Sequence, residues 1–466
     1  MLSSVPVQID AESGERMYKY QIVAESMREK IRKNELKPGE KLPSIKELVK
    51  ISGYNSDTVI KAYQLLEQEH LIYSAQRSGY YVVKSKYERK NTAKIDLITV
   101  SPPESIHPYK DFYHCMEKSI NIYKNKLLEY DKPQGMDELR TALVKHLMNS
   151  HIFTRQQDIF ITNGAQQSLY ILAAMPFPSG NRRIVVEQPT YSVMLKVLQC
   201  NNIPATGVRR SEEGLDLKGL ETAFQSGDVK FFYIMPRFQN PTGFRYSKKE
   251  KQDILELADR YGVYIVEDDY LADLEIEEKQ DSLYAMGAKD KIIYIRSFSK
   301  TLLPGLRLGM TILPEILQES FTLFKQSMDL NTSILTQGAL EIYLKSSMYK
   351  SHITRTKRFY HKKMQTLRTA CQEIFTEQVK YHIPSTGIYA LIETEKNTSE
   401  ILVNCLKKKN ILVSSIMNCY LNDFPASEGI RFCICTCKEE DFRPVIQLIN
   451  DEINKLKRIK IKKNRF

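Results

Sequence analysis

The chain has 466 residues, 42% of them hydrophobic and 27% charged, and a net charge of +12. That length predicts two or three domains, and the composition is that of an ordinary globular protein. No apolar run is long enough to cross a bilayer, and the N-terminus lacks the charged and apolar regions of a signal peptide, so a membrane or exported protein is not expected.

Eight cysteines, scattered apart from Cys433, Cys435 and Cys437, are expected to stay reduced in the cytoplasm. The positive charge permits a polyanionic partner. Residues 1–90 hold 16 Lys/Arg against 12 Asp/Glu, and the last twelve residues, KLKRIKIKKNRF, hold seven basic residues and no acid. That tail reads as a solvated helix end or as an additional phosphate-contacting patch.

The first predicted element is a helix over 18–35, with Ile22, Met27 and Ile31 at near-helical spacing. Pro38, Gly39 and Pro43 break it. Ser44 then opens SIKELVKI, and Glu47 completes a capping box. After the turn Gly53-Tyr54-Asn55, Ser56 or Asp57 caps a third helix with Val59, Ala62, Tyr63, Leu66 and Leu71 as its apolar stripe. IYSAQRSGYYVV (72–83) reads as two strands around an Arg-Ser-Gly tip. Helix, helix-turn-helix and hairpin together predict a winged helix over 15–83.

Three motifs in order, KPGEKLPS, TVIKAY and RSGYYV, resemble the GntR-type winged helix. The resemblance implies promoter DNA as a partner. It places Lys41, Ser44, Lys46, Asn55, Ser56, Thr58, Lys61 and the wing Arg77, Ser78 and Gly79 at the DNA. The family commonly has Arg where Lys46 and Ser56 stand. Lysine lacks the bidentate fork that arginine offers guanine, so Lys41, Lys46, Lys61 and Arg77 are expected to contact mainly phosphates.

Residues 84–94, KSKYERKNTAK, read as a flexible basic linker. From 95 to 460 a second pattern runs, with a large subdomain over about 105–315 and a small one over about 316–460. Apolar runs at 158–162, 183–187, 231–235, 263–267, 292–296 and 309–313 alternate with helical stretches, which predicts a mostly parallel sheet buried on both faces. Ligands of such sheets sit at the carboxyl ends of strands.

The polar residues after each run are therefore the candidates. They include Gly164, Ala165 and Gln166 at a helix start, Tyr191, Asn240 before Pro-Thr-Gly, and Asp268, Asp269 and Tyr270. Ser297 and Lys300 follow in SFSK, and Arg307 comes soon after. A lysine at a buried strand end can lose its proton and form a Schiff base. A helix N-terminus with serine and arginine suits a phosphate dianion. Pyridoxal 5′-phosphate needs these groups together: a lysine, a carboxylate for the ring nitrogen, a donor for the 3-oxygen and an anion seat.

The order of these motifs, with YDKPQGMDELR (130–140), STGIYALI (385–392) and GIRFCI (429–434), resembles the fold-type-I aminotransferases. That implies an α/β domain with a mostly parallel seven-stranded sheet and a small α+β subdomain. It also implies that Lys300 carries the aldimine. Asp268 pairs with the pyridine nitrogen, with Asp269 as the alternative. Asn240 and Tyr270 meet the 3-oxygen, and Tyr191 packs near the ring. Gly164, Ala165, Gln166, Ser297 and Arg307 hold the phosphate, and Arg431 clamps a substrate carboxylate. The thiols of Cys433, Cys435 and Cys437 are expected on one face of a strand with Arg431; no histidine lies near them, so packing rather than a metal site is expected.

A GntR-type reader joined to such a domain is the layout of the MocR-type transcriptional regulators. The resemblance implies a cytoplasmic homodimer that exchanges its readers and senses an amine, an amino acid or the cofactor itself. The alternative is a working aminotransferase with a vestigial reader, which Asn240 and Ser56 favour.

Overall fold

The computed structural model describes residues 8–9, 16–32, 35–69, 71–75, 78–83, 94–130, 132–276 and 281–463. The chain divides into two units, residues 1–92 and 93–466. Arg77 and most of the 84–94 stretch lie outside the described residues.

In the first unit the helix Lys19–Arg32 buries Val23, Ala24 and Met27, with Ile22 and Ile31 at the margin. The next helix, Ile45–Ser52, starts with the expected box: Ser44 Oγ accepts from Glu47 N–H, and Glu47 Oε2 accepts from Ser44 N–H at 2.7 Å. The third helix, Ser56–Gln68, is capped by Asn55, whose Oδ1 accepts from Thr58 N–H at 2.9 Å. The cap therefore falls one residue before Ser56. Any short polar side chain can serve, and Asn55 is the one still extended when the helix begins.

Strands β1 (Ile72–Ala75) and β2 (Gly79–Val82) form the wing, with Ile72 opposite Val82. Leu48, Val59, Leu66, Ile72 and Val82 form one core. Tyr63 ties the helices to the wing: its hydroxyl donates to Pro43 O at 2.7 Å, and its ring packs 4.8 Å from that of Tyr80.

The second unit is built on an eight-stranded sheet. Its strands are β3 (Ile159–Thr162), β4 (Arg183–Gln188), β5 (Ala205–Ser211), β6 (Gly214–Leu215), β7 (Val229–Ile234), β8 (Tyr264–Asp268), β9 (Ile292–Ser297) and β10 (Gly309–Ile312). The order is β3-β10-β9-β8-β7-β4-β5-β6. Strands β4, β5, β7, β8 and β9 are parallel to their neighbours along that run, whereas β10 is antiparallel to both β9 and β3.

The expected seven strands become eight because Ala205–Ser211 turns back into β6. Strand β5 is only partly buried and carries no continuous apolar run, so hydrophobicity did not reveal it. On the central strands alternate residues serve opposite layers. Phe231, Tyr233, Ile293 and Ile295 face one core, and Phe232, Ile234, Ile292 and Tyr294 the other.

The second core also takes in the helices Tyr109–Tyr123, Asp137–Met148 and Ile334–Lys345 through Phe112, Leu139 and Leu340. The helix Ser347–Ile374 joins both cores. Tyr349 and Ile353 of that helix pack beside the large sheet, while Met364 and Leu367 join the other core. The small subdomain is a four-stranded antiparallel sheet of β11 (Tyr381–His382), β12 (Tyr389–Glu393), β13 (Ser414–Ser415) and β14 (Gly429–Cys433), in the order β11-β12-β14-β13. Residues Ile95–Asp96 pair with Ile411–Leu412, which returns the start of the unit to this subdomain.

Strand β14 ends at Cys433. Cys435 and Cys437 thus lie beyond it rather than along one strand face with Arg431, and all three thiols are free and buried. Among the described residues no helix is long and apolar enough to cross a membrane, and no cluster could hold a metal ion.

Candidate cofactor site

A cleft open to solvent lies at the carboxyl ends of β3, β4, β7, β8 and β9. Gly164, Ala165, Gln166, Tyr191, Asn240, Asp268, Tyr270, Ser297, Lys300, Arg307 and Arg431 all line it, so eleven residues spread over 268 positions of sequence meet in one cleft. Val100, Ser192, Met235, Ser299 and Tyr389 complete the lining.

Asp268 ends β8 and is buried. Its Oδ2 accepts from the Tyr233 hydroxyl at 2.9 Å, and its Oδ1 has no partner. Burial pushes the carboxyl up to about 7, with the Asp269 charge adding to the effect and the Tyr233 hydrogen bond opposing it. The neighbouring Asp269 is committed elsewhere: Arg237 Nε donates to it at 2.9 Å and the Tyr294 hydroxyl at 2.8 Å. Asp268 lines the cleft and Asp269 does not. A buried carboxylate oxygen without a donor is costly unless a cationic or N–H group meets it.

The anion seat forms where β3 gives way to the helix Ala165–Ala174. Gly164 sits at φ +79°, and a β-carbon there would lie 2.9 Å from Arg307 Nη2. No side chain caps this helix, so its first N–H groups face the cleft end. Gly309 starts β10 against the same turn, and a β-carbon on it would come within 2.8 Å of Gly164 C. Arg307, itself left-handed at φ 50°, donates to Asn163 O at 3.4 Å. Ser297 Oγ accepts from Ser299 N–H at 3.3 Å, and Ser299 Oγ is buried without a partner.

Lys300 lies one residue past Ser299 and is partly buried. Burial lowers the affinity of its amine for a proton. Arg307 and Arg431 act the same way, while the thiols of Cys435 and Cys433 oppose them. Cys435 Sγ is held by the Tyr360 hydroxyl at 3.6 Å.

On the opposite wall Arg431 leaves β14 with its guanidinium 4.7 Å from the centre of the Tyr389 ring, and its Nη1 donates to Asn240 Oδ1 at 2.9 Å. Its Nε is buried and unpartnered. The Asn240 turn is shaped by Gln239, which donates to Pro189 O and accepts from the Thr242 hydroxyl, both at 2.6 Å. Tyr270 departs from expectation in one respect: its hydroxyl donates to Phe238 O at 2.6 Å, so its proton is already used within the protein. Gln166 likewise turns its side chain to the Tyr191 hydroxyl, at 3.0 Å.

On the first unit Lys41, Lys46, Ser56, Lys61, Ser78 and Gly79 are exposed and Thr58 is half-buried. Ser44 and Asn55 are exposed too, though their side-chain oxygens serve the two helix caps.

Two families match the chain in succession: the gntR family of bacterial regulatory proteins over residues 19–82, and aminotransferase class I and II over residues 109–449. The chain is 39% identical over 442 residues to the uncharacterized HTH-type transcriptional regulator YcxD of Bacillus subtilis, covering 93% of this chain and 99% of that one. This chain belongs to the MocR-type regulators.

A second relative, YdcR of Escherichia coli, also an uncharacterized HTH-type transcriptional regulator, is 30% identical, with 81% of this chain and 86% of the relative covered. The fold of the second unit is that of solved aminotransferases. A kynurenine aminotransferase of Pyrococcus horikoshii superposes with a TM-score of 0.72 at 24% identity, covering 78% of this chain and 91% of that one. A multiple substrate aminotransferase of Thermococcus profundus gives 0.73 at 22%, covering 79% and 93%.

For this MocR-type chain, Tyr233 and Tyr389 are the lining or supporting residues that the sequence does not single out. Tyr233 lies inside an apolar run, where nothing local marks its hydroxyl as a partner for Asp268. Ser299, the second hydroxyl of SFSK, stands with Ser297 and Lys300 at the same strand end, as the motif suggests.

Proposed function

We propose that the chain is a DNA-binding transcriptional regulator whose second unit binds pyridoxal 5′-phosphate through Lys300 and senses an amino compound or the cofactor itself. The residues fit that group. Asp268 Oδ1 lacks a donor where a pyridine nitrogen would supply one, and Gly164 leaves room for an anion beside Arg307. Bound there, the cofactor supplies an aldehyde that exchanges one amine for another.

The chain's own residues then have defined tasks. Lys300 presents an amine that burial keeps closer to neutral. Asp268 holds a proton-bearing nitrogen at Oδ1. The N-terminus of the helix Ala165–Ala174, with Ser297 and Arg307, binds a dianion. Arg431 is parked on Asn240 and is available to a carboxylate once that hydrogen bond is given up. A ligand that draws Arg431 inward engages β14, and through it the small subdomain. A differential affinity of this kind can bias how two DNA-reading units are placed.

The observation that carries the reading is the buried Asp268, whose Oδ1 lacks a donor, lining the same cleft as a partly buried lysine. It is tested by footprinting the DNA flanking the gene, with and without pyridoxal phosphate and amino acids. The expected result is a protection pattern that changes with ligand; an unchanged pattern removes the sensing role. Lys300→Ala is expected to abolish the borohydride-trapped mass increment that wild type shows with the cofactor, and persistence of that increment would move the attachment to another lysine.

The second reading, a working aminotransferase, is favoured by Asn240, which stands in the cleft beside Arg431. Steady release of a ketoacid from an amino acid supports it. A single stoichiometric change that then stops supports the regulator.

A further inference from the structure

The turn that would seat the phosphate is gripped from behind by a residue with no motif of its own. Asn163 precedes Gly164 and Gln167 follows Gln166, so the two form the shoulders of the turn. Both side-chain amides donate to one oxygen, Asp329 Oδ2, at 2.5 and 2.9 Å. Gln167 Oε1 accepts from the Asn163 backbone N–H at 2.8 Å, which closes a hydrogen-bonded ring across the turn. Arg307 donates to the carbonyl of the same Asn163.

The other Asp329 oxygen accepts from Lys325 Nζ at 2.8 Å. The Lys325 side chain is fully buried, and its ammonium also reaches Thr332 Oγ1 at 3.3 Å. The Thr332 hydroxyl donates to Ile161 O in β3, the strand that delivers the turn. Asp329 ends the helix Glu315–Asp329, and Leu330 after it sits at φ 52°, ψ −64°, a conformation that a residue with a β-carbon adopts only when its surroundings enforce it.

A lone carboxylate near an anion seat would oppose anion binding. Here the Lys325 ammonium cancels that charge, while Oδ2 remains a strong acceptor for two amides. We infer that Asp329 is a positioning residue for the cofactor's phosphate: by locking Asn163 and Gln167 it aims the N–H groups of the turn and the Arg307 guanidinium at one point. This rests on the reading that the cleft binds pyridoxal phosphate. An asparagine at 329 has one acceptor oxygen and cannot replace both carboxylate contacts, so the shoulders loosen and Lys325 loses its counter-charge.

The test compares pyridoxal phosphate with pyridoxal, which lacks the phosphate, by absorbance titration of the full chain. For Asp329→Asn the phosphate form should bind about tenfold more weakly, the cost of losing one hydrogen bond to a charged group, while pyridoxal binding stays within about twofold of wild type. Should Asp329→Asn fail to fold, Asn163→Ala removes one shoulder contact and should lower the same affinity ratio. An unchanged ratio, or an equal loss for both ligands, overturns the positioning role. If wild type itself does not prefer the phosphate form, both this inference and the cofactor reading fall. If wild type discriminates and the variants still do, only the inference falls.

Discussion

Asp268 and Asp269 are adjacent in sequence yet take opposite parts. Asp269 is neutralised by Arg237 and bonded to Tyr294, whereas Asp268 is left with one donor and one bare oxygen. Its carboxyl stands near 7, above the usual carboxylate range. The folded chain therefore holds this proton more tightly than the unfolded chain. Stability falls as pH rises from the ordinary range through 7, and the penalty is complete above it. Asp268→Asn in the cofactor-free protein should thus stabilise the second unit by roughly 2 kcal/mol or more at about pH 8, each unit of displacement being worth about 1.4 kcal/mol, with the gain vanishing towards about pH 4. Urea unfolding at the two pH values measures it, and a pH-independent difference would contradict the assignment. The same substitution should weaken cofactor binding. The choice between the two aspartates was not legible in sequence, because Tyr233, Arg237 and Tyr294 reach this strand end from β7, the turn after it, and β9 respectively.

Elements read most clearly where their signals are local. The capping box at Ser44 and Glu47 was legible because both partners lie within one helical turn, and it formed as expected. The cap of the third helix was ambiguous by one residue because three short polar residues stand in a row. Ser44→Ala and Asn55→Ala should each lower the stability of the first unit by about 1 kcal/mol. Calorimetry of the full chain should show the loss in one transition while the other stays fixed. Non-local features were less legible. The central strands announced themselves as buried runs, but β5 did not, and β10 runs antiparallel beside β3 with Gly309 packed against Gly164, a contact 145 residues apart. The Asp329 clamp was hidden for the same reason, since its partners lie 162 and 166 residues away.

On the proposed reading one cleft influences two DNA sites in the whole molecule, and the helix Tyr109–Tyr123 bears on how it does so. One of its faces is core, with Phe112, Cys115, Ser119 and Tyr123 buried. The other carries Tyr109, Tyr113 and Ile120, exposed by 52%, 72% and 47%, and nearby in sequence Leu128 and Tyr130 are 85% exposed. An exposed helix face normally carries charge, so on the proposed reading the apolar second stripe fits a surface that a partner covers. A second copy of the chain is the occupant that the regulator reading requires, because two readers on one operator need a fixed separation. The double substitution Tyr113→Glu, Ile120→Glu places carboxylates on that stripe without touching the core or the cleft. It should shift the protein from dimer to monomer in sedimentation, leave the pyridoxal phosphate affinity within about threefold of wild type, and weaken operator binding steeply, because two half-sites bound through one body gain an effective concentration that separate monomers lack. A variant that stays dimeric would place the interface elsewhere, and a monomeric variant that still binds the operator at wild-type affinity would detach DNA recognition from dimerisation altogether.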